Sequence, residues 1–286
     1  MVVFVIVVYK IKPSECIALS SLISSLCVNG VKSFKILILD NSPGSDSIYK
    51  IESKFDYFAF GSNVGLAHAY NYALNYCKRI GAEFIVTLDQ DSTVTLDYID
   101  EIFKCVKIYA GKEVVLCPTI MCGNRQVSPF SYSPIGVPRY KISGELHAIN
   151  SFSVYSVNTL ISLKIIDEFY WLDALDFSIF ENLHRNKIPV IPMHVQVQHD
   201  LSLLHEEIGR ERLVNIALYE AAFLFEYCGP VRLLSGLLRL LFRVVRRVNY
   251  RNKIEDLCVV LQAIMIGSFR GLIRRLWRHS KRKNQK

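Results

Sequence analysis

The chain has 286 residues, 51% of them hydrophobic, with 34 Lys/Arg against 26 Asp/Glu and eight cysteines. That length suits one large α/β domain with an appendage, or two small domains, and the apolar content excludes general disorder. The charge of +8 is lopsided: residues 230–286 hold 15 Lys/Arg against 2 Asp/Glu, whereas residues 1–229 are net acidic, so an anionic partner would meet one end only.

The eight cysteines form no C-x-x-C pair and have no His at zinc-finger spacing. Buried free thiols in a reducing compartment are expected. Met1–Tyr9 (MVVFVIVVY) is apolar but too short to span a bilayer, and no uninterrupted transmembrane run is read elsewhere.

In chain order, Val2–Val8 reads as a fully buried strand. Pro13 to Cys27 has helical apolar spacing and stops near Gly30. Lys35–Leu39 is a second strand, closed by the turn Asp40-Asn41-Ser42-Pro43-Gly44. Tyr57–Phe60 is a short third strand, and a helix opens at Asn63-Val64-Gly65 and ends near Ile80. Phe84–Leu88 is a buried strand ending at Asp89-Gln90-Asp91-Ser92; a helix over Leu96–Tyr109 and a strand over Val114–Cys117 follow. Residues 118–150 read as irregular, Ser151–Leu163 as strand and turn, and residues 165–187 as an acidic, aromatic stretch leading into a helix. Ile188–Val197 carries two prolines and reads as an edge strand.

Such strand–helix alternation predicts a largely parallel sheet covered by helices on both faces, with ligands beyond the carboxyl ends of the strands. Residues 205–229 read as one helix. After Gly229-Pro230, an apolar stripe (Leu233, Leu234, Leu237, Leu238, Leu241, Val244, Val245, Val248) has Arg232, Arg239, Arg243, Arg246 and Arg247 largely off it. A second basic amphipathic stretch covers Ile264–Arg278 and a Lys/Arg tail follows. The division expected is 1–204 as catalytic domain and 205–286 as a helical basic region.

Four groups of residues carry candidate chemistry. Asp89 and Asp91, two apart after a buried strand, can reach one hard cation such as Mg²⁺ or Mn²⁺; the alternative is a solvated turn. Asp173 and Asp176, three apart, would share a helical face in an apolar setting that suits a general base; the alternative is ordinary helix-start acids. His199, beside Asp200, is a metal ligand, a hydrogen-bond partner or a strand-end surface group, with His194 and His205 as competitors. In Asn63-Val64-Gly65, the glycine allows close backbone approach and the helix amides favour anions; the alternative is a simple cap by Asn63.

Taken in order, VVYK at Val7–Lys10, LDNSPG at Leu39–Gly44, NVGLAHAYN at Asn63–Asn71, LDQDS at Leu88–Ser92, WLDALD at Trp171–Asp176 and HDLS at His199–Ser202 resemble the family 2 glycosyltransferases of GT-A fold, rhamnosyltransferase-like members in particular. The resemblance implies that Tyr9 and Asp40 lie at the donor base or ribose, and Asn63 and Gly65 along the donor pocket. It implies that Asp89 and Asp91 hold metal and diphosphate, with Asp91 the more direct ligand. Asp176 is implied as the catalytic base, with Asp173 beside it, and His199 completes the metal or diphosphate site. Where the family carries a further acid and an Arg after the base, this chain has Ser178 and Asn182.

The resemblance further implies an inverting transferase acting in the cytoplasm on dTDP-rhamnose or a UDP-sugar. Its acceptor would be a lipid-linked precursor of O-antigen, capsule or another surface polysaccharide. The basic C-terminal region would then lie against the anionic inner face of the plasma membrane. Competing expectations are a sugar nucleotidyltransferase, disfavoured by the lack of glycine between Tyr9 and Ser14, and a non-catalytic lipid- or nucleic-acid-binding protein. The C-terminal apolar stripe suits lipid better than nucleic acid.

Overall fold

A computed structural model describes residues 1–30, 33–45, 55–140, 144–199, 209–247 and 253–283. Asp200, Leu201 and Ser202 of the last motif, His205, Val248 of the apolar stripe and the end of the basic tail lie outside the described residues. The chain forms two compact units: Met1–Ser131 with Tyr140–Asp200, and Tyr132–Arg139 with Leu201–Lys286. A short excursion at 132–139 therefore belongs with the C-terminal helices, a long-range association with no local sequence signal.

In the first unit the elements run β1 (Val2–Val8), α1 (Ile17–Asn29), β2 (Phe34–Asp40), β3 (Phe55–Ala59), α2 (Leu66–Arg79), β4 (Phe84–Asp89), α3 (Leu96–Ile108), β5 (Val115–Cys122) and β6 (Arg125–Ser128). After a small two-stranded ladder that lies mostly in the second unit's 132–139 excursion, β7 (Ser131–Tyr132) and β8 (Pro138–Arg139), the first unit resumes with β9 (Val154–Ser156), α4 (Val157–Ser162), α5 (Leu175–Arg185) and β10 (Val190–Gln198). The main sheet has the order β10-β5-β9-β4-β1-β2-β3, with β6 pairing β5. β1 is central because it can be: Val2 to Ile6 are at most 2% exposed, so the strand is apolar on both faces, as a strand covered by helices on both sides must be.

The β1–β2, β1–β4, β2–β3 and β10–β5 pairs are parallel; β9 runs antiparallel to both β4 and β5. The sheet is thus mostly parallel, as expected, with a reversed three-residue strand in its middle that is too short to leave a periodic signature. Within 118–150, residues 118–132 are more regular than the Pro/Gly/Ser content of the stretch suggests. β5 continues to Cys122 and folds back as β6, because backbone pairing overrides weak local propensity. β10 is an edge strand, as β3 is at the other side, and its ladder is interrupted between Pro192 and Gln196. All eight cysteines are free; Cys27 and Cys258 are exposed and Cys122 half-buried, so the thiols are not uniformly in the core.

The second unit contains α6 (Arg210–Tyr227), α7 (Pro230–Arg247) and α8 (Lys253–Lys283). Leu213, Ala217 and Ala221 of α6, Leu240 and Val244 of α7, and Val260, Ala263 and Ile264 of α8 form one buried cluster. α8 lies hard against α6. A Cβ on Gly267 would stand 2.1 Å from the Leu218 carbonyl oxygen, and one on Gly271 2.2 Å from that of Ala222. This small-x-x-x-small spacing lets two helix backbones touch. Although the sequence shows no uninterrupted transmembrane run, among the described residues one helix is long and apolar enough to cross a membrane by length and composition, over Glu255–Lys281. Arg270 and the glycines interrupt the run to the eye without lowering its average enough to fail that test.

Candidate active site

Parallel pairing gathers the candidate residues on one rim. Val8 of β1 is in register with Asp40 of β2, and Val7 with Asp89 of β4, so Asp40, Tyr9 and Asp89 leave the same edge of the sheet. His199 follows β10, which runs in the same direction as β5. β9 enters its ladder at Val154, opposite Val86, and just before it Phe152 packs edge-on against the His199 ring at 5.7 Å.

The His199 Nε2 lies 3.3 Å from Asp89 Oδ2, and its backbone N–H donates to the Met121 carbonyl at 2.9 Å. Asp89, Asp91 and His199 each offer a ligand atom, and these atoms all lie within 4.8 Å of one another. Two carboxylates crowded beside one imidazole repel unless a cation or proton sits among them. Carboxylate oxygens suit either Mg²⁺ or Mn²⁺, and the imidazole suits a transition ion such as Mn²⁺ better than Mg²⁺, so the trio is compatible with a divalent cation. The His199 side chain is 3% exposed and that of Asp89 42%, a protected ligand beside an open one.

The Asp89–Ser92 turn is held from several sides. The Gln90 carbonyl accepts from the Ala18 N–H at 3.1 Å and from the Cys16 thiol at 3.4 Å. The Gln90 side chain accepts from the Tyr9 N–H at 2.7 Å, tying the end of β1 to the acidic turn. Asp89 N–H donates to Ser151 Oγ at 3.2 Å, and the Ser92 and Ser151 hydroxyls pair at 2.9 Å. Gln90 and Ser92 stand inside the LDQDS motif; nothing in the sequence pointed to Ser151.

Asp40 is 5% exposed and both carboxylate oxygens are engaged, one by the Ser42 N–H at 2.7 Å and the other by the Tyr57 hydroxyl at 2.5 Å. Ser42 Oγ accepts from Lys10 N–H at 2.8 Å, so Asp40 braces the Tyr9–Lys10 corner. Tyr9 itself is 37% exposed, and the Lys10 ammonium lies 5.0 Å from its ring centre. Asn41, not foreseen, accepts from Val64 N–H at 3.0 Å and so links this corner to the approach of α2.

At Gly65 the structure revises the sequence expectation. The N-terminal amides of α2 donate to the Trp171 carbonyl, Leu66 at 2.9 Å and Ala67 at 3.2 Å. A Cβ on Gly65 would stand 2.2 Å from Trp171 Cδ1, and its φ of +83° is one that residues with a side chain rarely adopt. Helix start and glycine therefore seat the segment ahead of α5, and these amides serve a peptide carbonyl. Asn63 Oδ1 accepts from Gly65 N–H at 3.2 Å and shapes the same turn.

Asp176 lies in the first turn of α5, and Asp173 before it. Ala174, at φ +59°, breaks the chain direction between them, so the expected shared helical face does not form. Burial pushes the Asp176 carboxyl up to about 7; the charges of Asp89 and Asp173 push the same way, and the Asn150 N–H partly opposes them. Asp89 thus lies within electrostatic reach of Asp176. The residue as a whole is half-buried, and burial of its carboxyl is the largest cause of the upward shift. Asn150 is fixed in turn: its Oδ1 accepts from Tyr155 at 2.8 Å and its carbonyl from Thr87 Oγ1 at 2.5 Å. Burial keeps the Tyr70 and Tyr155 phenols protonated. Asn150, Thr87 and Tyr155 sit in stretches without a motif, so sequence alone did not reveal them.

No family model matches the chain, and no curated protein matches it in sequence. Solved structures do. S. aureus TarS 1–349 in complex with UDP-GlcNAc superposes with a TM-score of 0.54 at 13% identity, covering 99% of this chain and 92% of that one. The complex of the same fragment with UDP gives 0.53 at 16% identity over the same shares. A further structure of S. aureus TarS gives 0.51 at 16% identity, covering 92% of this chain and 49% of that one. With a mostly parallel sheet, flanking helices and an acidic rim already in hand, this likeness shows the architecture: the chain carries a GT-A-type glycosyltransferase fold with a C-terminal helical extension.

Proposed function

We propose that the protein is an inverting glycosyltransferase that moves one sugar from a nucleoside-diphosphate sugar onto an acceptor hydroxyl. One observation carries this reading. A three-ligand group of Asp89, Asp91 and His199 converges at the rim, with a proton-accepting carboxylate, Asp176, within its field. Asp89, Asp91 and His199 would hold Mg²⁺ or Mn²⁺, which when bound offsets the charge growing on a departing diphosphate.

The chain's own residues do the rest. Ionised Asp176 takes the proton from the acceptor hydroxyl as that oxygen bonds to the anomeric carbon. The bond from that carbon to the diphosphate oxygen breaks, and the nucleoside diphosphate leaves with the electron pair. A carboxyl raised to about 7 accepts such a proton more readily than an ordinary aspartate. Tyr9 and the Asp40-braced corner would receive the nucleoside. Gln90 would keep that corner in register with the metal group.

The finer reading has two sources. The sequence resemblance favours rhamnose, as dTDP-rhamnose. The UDP and UDP-GlcNAc bound by the TarS structures support a UDP-sugar as the other donor. The acceptor in this reading is a lipid-linked precursor of O-antigen, capsule or another cell-surface polysaccharide, met at the anionic inner face of the plasma membrane.

A panel of nucleotide sugars with Mn²⁺, read by thermal shift and by nucleoside diphosphate release, tests the proposal. One donor should raise Tm only when metal is present, by mass action. Asp91→Asn should abolish that shift, and Asp176→Asn should keep it while stopping transfer. Release of pyrophosphate, or transfer surviving both substitutions, would sink the reading.

A further inference from the structure

In the second unit, α7 and α8 are apolar on more than their buried sides. On α7 three arginines face protein: Arg232 lies 4.0 Å from the Tyr132 ring centre, Arg239 donates to the Gly136 carbonyl at 2.7 Å, and Arg243 pairs with Glu220 at 2.5 Å. On α8, Arg274 pairs at 2.7 Å with Glu226, whose side chain is wholly buried, Arg275 donates to the Cys228 carbonyl at 3.0 Å, and Arg278 to the Tyr227 hydroxyl at 2.7 Å. Besides the buried Leu240 and Val244 of α7 and Val260, Ala263 and Ile264 of α8, a second apolar row on each helix meets solvent. Leu234, Leu238, Phe242 and Val245 recur at helical spacing on α7, and Met265, Phe269, Leu272 and Leu276 on α8. Phe242, Met265 and Phe269 are 70%, 71% and 65% exposed.

A soluble helix bundle gains by covering such rows, since exposed apolar surface forgoes the free energy of its removal from water. We infer that the outer rows of α7 and α8 form a preassembled surface that inserts into the interfacial layer of an anionic bilayer, with both helices lying in the membrane plane. Charge selects the lipid: residues 230–286 hold 15 Lys/Arg against 2 Asp/Glu, and Arg246 and Arg270 are exposed beside the rows. Trp277, 58% exposed with the Lys281 ammonium 3.9 Å from its ring centre, has the amphipathic form of an interfacial anchor.

A spanning α8 fits less well, although its length allows one. α8 shares a buried cluster with α6 and α7 and is locked to α6 through Gly267 and Gly271. Crossing would either dismantle that packing or carry Glu220, Glu226 and Asp256 into hydrocarbon with their arginines, at high cost. This inference deepens the membrane part of the proposed function but rests on the second unit alone, and its test uses neither donor nor acceptor.

The full chain is mixed with vesicles of phosphatidylcholine alone and of phosphatidylcholine with phosphatidylglycerol, and binding is read by flotation. Binding should require phosphatidylglycerol and weaken with added salt. The triple variant Phe242→Ser, Phe269→Ser, Trp277→Ser should lose about tenfold or more in partitioning, while circular dichroism and Tm hold. A more conservative set, Leu238→Gln with Met265→Gln, serves if the triple variant fails to fold. Equal binding of folded variant and wild type, no binding to anionic vesicles, or a dimer in analytical ultracentrifugation that the same substitutions dissolve would each overturn the inference. So would resistance of the cellular protein to alkaline carbonate extraction, which marks a spanning helix. Loss of sugar transfer with intact vesicle binding would instead sink the catalytic reading and leave this one standing.

Discussion

Asp176 sits where its own ionisation opposes folding. The carboxyl's ordinary value is 3.8, and in the folded chain it rises to about 7. Between those values the folded protein keeps a proton that the unfolded chain has lost. Stability therefore falls as pH rises from about 4 to about 7, and is level with respect to this group above that. Asp176→Asn should accordingly raise Tm at pH 8 in the presence of chelator, by on the order of a few kcal/mol of stability, and change it little at pH 4. The same substitution should lower turnover by about 10²–10⁴-fold. A general base must be ionised, so kcat/KM should rise with pH through an acid limb. Because Asp89 contributes to the upward shift, a bound cation should move that limb below 7. A rate independent of pH over this range would remove Asp176 from the chemistry.

Among the elements, the start of α2 controls the approach to α5. Its first amides hold the Trp171 carbonyl, and Gly65 leaves room for the Trp171 ring. Gly65→Ala should cost about 1–3 kcal/mol and about 10–100-fold in kcat, with a smaller effect on the metal-dependent donor shift. Replacing Trp171 by Leu in that background should recover part of the Tm, since the ring is what the new methyl meets. No recovery would show that backbone strain at φ +83° is the whole effect. In the second unit Gly271→Leu should unfold the α6–α8 pair, as its Cβ alone would stand 2.2 Å from a carbonyl oxygen. Far-ultraviolet circular dichroism with a thermal melt would measure that loss.

At the scale of the whole molecule, the chain does not divide at a single point. The excursion at 132–139 belongs to the helical unit, where Tyr132, Ile135 and Gly136 meet Arg232, Ser235 and Arg239. A chain ended after Asp200 loses those partners. It should express with a lower Tm and greater aggregation than the full chain, even though the Asp89, Asp91, His199 and Asp176 group lies wholly within the first unit. An unchanged Tm on truncation would show that the excursion is indifferent to the helices.

Much of this was legible in residue order. Apolar runs bounded by turn residues mark β1, β2 and β4, and burial of both strand faces demands that composition, so the parallel sheet and its acidic rim follow from local pattern. Asp89, Asp91, His199 and Asp176 could be nominated because their residue types and flanking motifs are informative by themselves. What local pattern could not carry depends on pairings between distant segments. The reversed β9, the capture of Trp171 by α2, the Asn150 support behind Asp176 and the outward turn of the apolar rows are of this kind. Each is decided by which surfaces are left to meet once the sheet has formed, and a sequence spells out which side chains are apolar or charged without spelling out which of them will find a partner.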